Sequence, residues 1–119
     1  MATVSQVLTG LVAALHAYFL VLEMFLWTKP TGQRVFGRTA AEQESSKVLA
    51  ANQGLYNGFL AAGLVWSLVA GAPIALPVRE FFLACVVVAG IYGGLTATRR
   101  ILFVQAVPAA IALAVTLAM

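Results

Sequence analysis

Long apolar segments alternate with short polar ones along the chain. A helix that crosses a bilayer needs about 20 mostly apolar residues. Four segments near that length are present, at about 4–27, 48–70, 78–98 and 101–118. The pattern predicts an all-α membrane protein, a four-helix transmembrane bundle that forms a single domain over residues 1–119. The one clearly hydrophilic stretch, residues 28–47, falls between the first two spans.

Capping and turn signals indicate where the second span begins and ends. Thr39 and Glu42 have the spacing of a capping box, which predicts a helix that restarts near Ala40 and continues into the second span. Gly71 followed by Pro73 is a typical stop signal. The helix is therefore expected to run from the hydrophilic stretch through the membrane without a break.

Basic residues concentrate in two of the three predicted loops. The first loop, 28–47, has four of them and the third has the arginine pair 99–100, whereas the second, 71–76, has no charge. Because basic loops stay in the cytoplasm, both termini are expected to be non-cytoplasmic. Arg79 is the exception, and Glu80 beside it is expected to offset its charge.

Composition rules out a water-soluble domain and narrows the partners. Hydrophobic residues make up 62% of the chain and charged residues 9%, against roughly 45–50% and about 25% in soluble domains. The lipid bilayer is therefore the expected surrounding. A net charge of +3 confined to loops gives no reason to expect nucleic-acid binding. The single cysteine, Cys85, excludes an intrachain disulfide.

Small residues recur at four-residue spacing in three spans, which lets helices approach closely in lipid. The residues concerned are Gly54, Gly58, Ala62, Gly90, Gly94, Ala106, Ala110 and Ala114. Packing within the monomer and a seam between copies of a homo-oligomer both remain open.

Ionisable and amide side chains within the first two spans are the candidate functional residues, because polar groups in a membrane helix are costly and often functional. His16 and Glu23 are seven residues apart, on one face of the first span and about 10 Å apart along its axis. The second span adds four polar residues on one arc, with its glycines roughly on the other side. These are Asn52, Gln53, Tyr56 and Asn57.

The predicted depth of each residue in the membrane indicates which of these polar residues lie at the same level. Glu23 is expected at the level of Asn52 and Gln53, and His16 near the level of Asn57. The outer half of the spans is nearly all apolar in this interpretation, so we expect a polar pocket that opens to the cytoplasm. Tyr92 and Gln105 of the third and fourth spans are secondary candidates in the same half. Structural hydrogen bonding between helices is the alternative role for all of these residues.

No motif points to a cofactor or a metal. The sequence has no nucleophile motif, metal-ligand cluster or phosphate-binding loop. His16 could ligate haem only if another subunit supplied a second histidine. We therefore expect neither a cofactor nor a metal ion.

Four strings are similar to a known family. They are His16-Ala17-Tyr18, Glu23-Met24-Phe25-Leu26-Trp27, Val35-Phe36-Gly37 and Asn52-Gln53-Gly54-Leu55-Tyr56-Asn57-Gly58-Phe59-Leu60-Ala61. The chain resembles, over essentially its whole length, the small bacterial membrane proteins grouped as domain of unknown function 1304. The resemblance implies a bundle of four spans, a place in the inner membrane of a bacterium and no established biochemical role.

A fainter similarity is to the membrane-associated eicosanoid and glutathione metabolism proteins, which are trimers of four-helix subunits. Their second helix has an arginine, an asparagine and a glutamate after a basic cytoplasmic loop. Residues 51–57 occupy the corresponding place here, but the arginine and glutamate are missing. The likeness is one of layout.

Three functions follow from these observations. The first is binding or transport of a small, partly polar ligand, with Glu23 and His16 as proton-linked groups. The second is a structural or partner-binding membrane subunit that uses its small-residue faces. The third is an intramembrane enzyme on a lipophilic substrate, with Glu23 or His16 as general acid or base. Whether the protein is an enzyme stays open at this point.

Overall fold

The computed structural model describes all residues 1–119 and contains helices and no strand. The elements in chain order are α1 (Ala2–Met24), α2 (Pro30–Phe36), α3 (Ala40–Val69), α4 (Ala75–Thr96), α5 (Arg99–Ile101), a π-helical turn (Leu102–Ala106) and α6 (Val107–Leu117). The all-α class is therefore confirmed.

Three helical segments are long and apolar enough to cross a membrane. They are Ala2–Met24, Ala75–Thr96 and Arg99–Leu117, with mean hydropathies of 1.8, 1.7 and 1.9. They indicate a membrane protein. The predicted second span lies within α3, which has the length but carries the four polar residues between 52 and 57. A bundle of four spans and its orientation therefore stay predictions.

The capping box at the start of α3 is confirmed. The Thr39 backbone N–H donates to Glu42 Oε1 at 3.0 Å, and the Glu42 backbone N–H donates to Thr39 Oγ1 at 3.2 Å. Hydrogen bonds from the backbone and side chain of Thr39 hold the pKa of the Glu42 carboxyl below its usual value. α3 starts at Ala40 and ends at Val69, just before the predicted stop at Gly71.

The hydrophilic stretch contains a short helix that the sequence interpretation missed. α2 begins at Pro30, where the fixed φ of proline suits the first turn of a helix. It ends at Gly37, whose φ of 62° is the left-handed conformation that glycine adopts at low cost. The Gly37 N–H donates to the Gln33 carbonyl and closes the helix. Proline at the start and glycine after the end were the available signals.

The last predicted span, 101–118, is helical but not regular. Val107 N–H donates to the Leu102 carbonyl, a π-type hydrogen bond that spans five residues. Pro108 follows, and proline has no N–H and a ring that clashes with the carbonyl four residues earlier, here that of Val104. The widened turn accommodates the proline without ending the helix.

Two compact units make up the chain. Unit 1 comprises Met1–Ala14 with Leu60–Met119, and unit 2 comprises Leu15–Phe59. Unit 1 has an apolar core from all of its long helices. This core consists of Val12, Ala13, Leu64, Leu83, Val86, Ala109 and Ala112. The single domain over residues 1–119 stays a prediction.

The recurring glycines pack against helices of the same unit. In unit 1, a Cβ atom on Gly90 would lie 2.5 Å from the backbone N of Ala106. In unit 2, Gly54 and Gly58 press on α1, where a Cβ on Gly58 would lie 2.6 Å from Leu20 Cδ1. Close approach within the chain is thus one use of these small residues, and a seam between copies stays a prediction.

We expect Gly90→Ala to lower the free energy of unfolding, by about 1–3 kcal/mol for an overpacked contact with backbone. Gly10→Ala is the matched control, because the nearest atom to its Cβ, Leu68 Cδ1, is 3.9 Å away. Alanine is the better helix former, so this control should be neutral or stabilising by roughly 0.5–1 kcal/mol. Unfolding of both variants in mixed detergent micelles measures the difference. Equal effects at the two positions would contradict the packing.

The capping box predicts an acid-sensitive start of α3. A lowered folded pKa means that Glu42 contributes stability above its ordinary pKa of 4.5 and loses it as the pH falls through the lower, folded value. Protection of the first turn of α3 against hydrogen exchange, relative to the intrinsic exchange rate at each pH, should therefore fall below about pH 4.5. Glu42→Gln can keep the hydrogen bond to the Thr39 N–H and should remove this pH dependence. Thr39→Ala should lower the protection of this turn at every pH, because it removes an N-cap that contributes about 1 kcal/mol of stability.

Candidate functional site

A buried carboxyl group lies between α1 and α3 in unit 2. Glu23 on α1 is 4% exposed, and its Oε1 accepts a hydrogen bond from Asn57 Nδ2 of α3 at 2.5 Å. Asn57 is itself buried. The other carboxyl oxygen, Oε2, has no protein hydrogen-bond partner. The one salt bridge in the structure joins Lys47 and Glu44, so no cation of the protein pairs with Glu23.

The pairing of α1 with α3 differs from the predicted register. Asn57 was expected at the level of His16 but reaches Glu23, two helical turns away. The expected arrangement of the α3 faces was also wrong, because the face with Gly54 and Gly58 is the one that packs on α1 and carries Asn57. The glycines allow that close approach, since a Cβ on Gly54 would lie 2.7 Å from the Met24 side chain.

The other polar residues of α3 are on its exposed side. Asn52 and Gln53 are exposed, and Tyr56 is 60% exposed with its ring 6.1 Å from that of Phe59. Of these three, Asn52 lines a groove together with Glu23, whereas Gln53 and Tyr56 do not. The structure therefore brings Glu23, Asn52 and Asn57 together.

This groove has a volume of about 390 Å³, which is within the usual range for small-molecule sites. Its lining combines a carboxylate, an ammonium group and an amide with aromatic and aliphatic side chains. The lining residues are Glu23, Met24, Phe25, Trp27, Thr28, Lys47, Val48, Ala51 and Asn52. Lys47 belongs to the predicted loop 28–47 and Trp27 ends the first predicted span, and the sequence named neither as a candidate, so the structure adds both to the candidate site.

Trp27 is held in place on one side of the groove. Its indole Nε1–H donates to Ser46 Oγ at 3.1 Å, and its ring lies 4.6 Å from that of Phe36 in α2. Its carbonyl accepts from Gln43 Nε2 at 2.9 Å. The start of α3 and the short helix α2 thus fix one wall of the groove before any ligand is present.

His16 is fully buried in unit 2, with its ring edge-on to Phe19 at 5.4 Å. It does not line the groove beside Glu23. The secondary candidates lie in unit 1, where Tyr92 is 70% exposed on α4 and Gln105 is half-buried in the π-helical turn. No three His, Cys, Asp or Glu side chains come close enough together to hold a metal ion.

A buried arginine joins four helices of unit 1, which the sequence interpretation missed. Arg79 on α4 is 4% exposed, and its Nη1 donates to Ser5 Oγ of α1 at 3.0 Å. Its Nη2 donates to the Ser67 carbonyl of α3 at 3.0 Å, and its Nε to Ser67 Oγ at 3.5 Å. Ser5 Oγ lies 2.6 Å from Thr116 Oγ1 of α6.

One sequence expectation is therefore wrong. The end of the helices expected to be nearly all apolar buries this network, and Thr9 nearby on α1 is also fully buried. Arg79 makes its hydrogen bonds to serines and forms no salt bridge, and the role of Glu80 in offsetting its charge for the orientation stays a prediction. An arginine within an apolar segment was itself the signal, because such residues in membrane helices find polar partners inside the protein.

The serine hydroxyls that accept from Arg79 are themselves hydrogen-bonded to helix carbonyls, directly or through Thr116. Thr116 Oγ1 donates to the Ala112 carbonyl at 2.8 Å, and Ser67 Oγ donates to the Leu64 carbonyl at 2.6 Å. Each hydroxyl has one proton to give, so Ser5 and Ser67 act as acceptors towards the guanidinium. The Ser67 carbonyl belongs to the last turn of α3, where backbone carbonyls lack helical partners and cations are stabilised.

Comparisons with known proteins agree with the family resemblance. A family model described as "Protein of unknown function (DUF1304)" matches residues 10–117. The uncharacterized protein YpaA of Lactococcus lactis subsp. lactis (strain IL1403) is 31% identical over 107 residues, which cover 88% of this chain and 89% of that protein. No solved structure matches the chain.

The arginine network predicts a coupling between Ser5 and Arg79. Ser5→Ala should lower the free energy of unfolding by about 1–3 kcal/mol, because it leaves a buried N–H donor without an acceptor. The exposed Ser45→Ala should stay within about 0.5 kcal/mol of the wild type. In an Arg79→Met background the donor is gone, so the cost of Ser5→Ala should largely vanish. Detergent unfolding of the four proteins of this cycle measures the coupling, and additive costs would contradict the network.

Proposed function

The chain belongs to the DUF1304 family of proteins of unknown function, and we propose that it binds or transports a small, partly polar ligand in the groove beside Glu23. In this proposal the groove opens towards the cytoplasm. Family membership names no ligand, so the proposal depends on the chemistry of the groove.

We place the protein in the inner membrane of a bacterium and propose that it crosses this membrane four times. The fourth span is α3, which apolar length alone does not identify. The basic stretch 28–47 is cytoplasmic in this arrangement and both termini are on the other side. The polar run of α3 supports it, since Asn57 is buried against Glu23 and Asn52 lines a groove. A span that lines a polar groove is expected to be less apolar than its neighbours.

The single observation that carries the proposal is the buried carboxyl group on the groove. A carboxylate removed from water needs a partner of opposite charge or a proton, because an isolated buried charge is costly. The protein supplies one amide N–H from Asn57 and no cation at salt-bridge distance. A ligand or a proton is therefore what neutralises Glu23, and exchange between the two would make binding proton-linked.

The other charged groups around the groove do not replace that partner. Lys47 lines the groove, but its ammonium group is bound to Glu44 at 2.5 Å on the exposed side of α3. His16 lies on the same helix as Glu23 but does not line the groove. Glu23 is thus the group on which the proton-linked step depends.

The partner-binding alternative is weakened at the small residues that pack within the chain. Its argument was that faces of small residues serve as an interface, but Gly54, Gly58 and Gly90 pack closely against neighbouring helices of their own unit. We therefore favour ligand binding over a purely structural role.

Cysteine accessibility tests whether the groove is open to the cytoplasm. In a Cys85→Ser background, Ala51→Cys should react with a small, membrane-impermeant methanethiosulfonate reagent added from the cytoplasmic side of vesicles. The reagent is the trimethylammonioethyl or the sulfonatoethyl derivative. Leu55→Cys is the matched control, because it is exposed one turn further along α3 but does not line the groove. It should stay unreactive in lipid.

Protection tests whether the open groove binds a ligand. A low-molecular-mass fraction of bacterial cytoplasm should slow the reaction of Ala51→Cys, and Glu23→Gln should abolish that protection. An unreactive Ala51→Cys would show that the groove is closed or filled with lipid and would overturn the proposal. A reaction rate that no fraction changes would overturn ligand binding.

A further inference from the structure

The hydrogen-bonding state of Glu23 restricts what the groove can bind. Its Oε1 is already engaged by Asn57, and Oε2 is the oxygen left without a protein donor. A carboxylate oxygen is only an acceptor, so the ligand group that meets it must be a donor or a cation. An anionic group there would add a second unpaired negative charge.

The walls of the groove favour a cation with an apolar body. The rings of Phe25 and Trp27 line the groove, and ammonium and guanidinium groups are attracted to aromatic rings. Trp27 is fixed by Ser46 and Phe36, so its ring is already positioned. Met24 adds a polarisable thioether, and Val48 and Ala51 add aliphatic surface.

Lys47 is the one cation on the groove and would be the anchor for an anion. Its ammonium group is instead bound to Glu44, and its side chain is 54% exposed. An exposed, already paired ammonium group attracts an anion weakly, because solvent and Glu44 both screen its charge. The buried and uncompensated charge on the groove is the carboxylate.

From these contacts we infer that the groove takes a small organic cation, an ammonium or guanidinium compound with an apolar body. The cationic group pairs with Glu23 Oε2 beside the Phe25 ring, and the body lies on Met24, Val48 and Ala51. Where Glu23 is protonated beforehand, cation binding releases that proton to water, so charge balances. This inference rests on the proposed ligand-binding role and names the chemical class of the ligand.

Fluorescence of Trp27 tests the inference directly. The chain has two tryptophans, and Trp66 is 50% exposed and outside the groove, so Trp66→Phe leaves Trp27 as the reporter. Titration with 1-hexylpyridinium, a cationic quencher, should reduce its emission saturably. Hexyltrimethylammonium should restore the emission by competition, and hexanesulfonate, with the same chain and opposite charge, should not.

Two variants identify the residues responsible. Glu23→Gln should weaken hexylpyridinium binding at least roughly tenfold, because it removes the charge partner. Phe25→Leu, at a side chain 65% exposed and thus tolerant of change, should weaken it about threefold through loss of the π contact. Glu42→Gln is the control, since it removes one negative charge of unit 2 that does not line the groove. It should leave the affinity unchanged.

The outcomes separate this inference from the proposed function. Equal affinities of the wild type and both groove variants, or displacement by hexanesulfonate as effective as by hexyltrimethylammonium, would overturn the cationic ligand. So would the absence of saturable quenching in a protein whose Ala51→Cys variant reacts, because the groove would then be open but not cation-selective. An unreactive Ala51→Cys variant would overturn the proposed function itself.

Discussion

Compensation of buried charge is the constraint on which both units depend. A charged group in apolar surroundings is tolerated only where the protein supplies dipoles of the right sign. Arg79 meets that condition within unit 1, since its donors reach two serines and a carbonyl in the last turn of α3. Glu23 in unit 2 meets it only in part, with one amide donor on one oxygen. The first group is therefore a structural centre, whereas the second is left with bonding capacity for something outside the chain.

Glycine positions determine which faces meet. Gly54 and Gly58 remove the side chains that would keep α3 away from α1, and the resulting contact brings Asn57 to Glu23. Gln53 and Tyr56 are then exposed away from that contact, whereas Asn52 lines the groove beside Glu23. Gly90 has the same effect in unit 1, where α4 lies against the backbone at Ala106, the last residue of the π-helical turn. The small residues thus control side-chain geometry more directly than any polar pattern does.

The proposed chemistry connects these features. A preformed wall, held by Trp27, Ser46 and Phe36, and a carboxyl group with a free oxygen are what a small-molecule site needs, because little ordering remains to be done on binding. A cation would complete the charge compensation that the protein leaves unfinished at Glu23. The same reasoning assigns no ligand to Arg79, whose guanidinium already has neutral acceptors on all three nitrogens.

The sequence by itself determined the helical class, the membrane-like composition and the capping box of α3, because these follow from apolar length and local spacing. The cost of polar groups in lipid also singled out Glu23 and Asn57 as candidate functional residues. The sequence also contained the proline and glycine that delimit α2 and the proline that widens the turn after α5. Only the tertiary structure decided which polar residues meet. Helix rotation and register depend on close approach at particular glycines, so Asn57 rather than Asn52 binds Glu23, and Arg79 finds Ser5 and Ser67 rather than Glu80. Those choices arise from packing between distant segments, which local spacing does not encode.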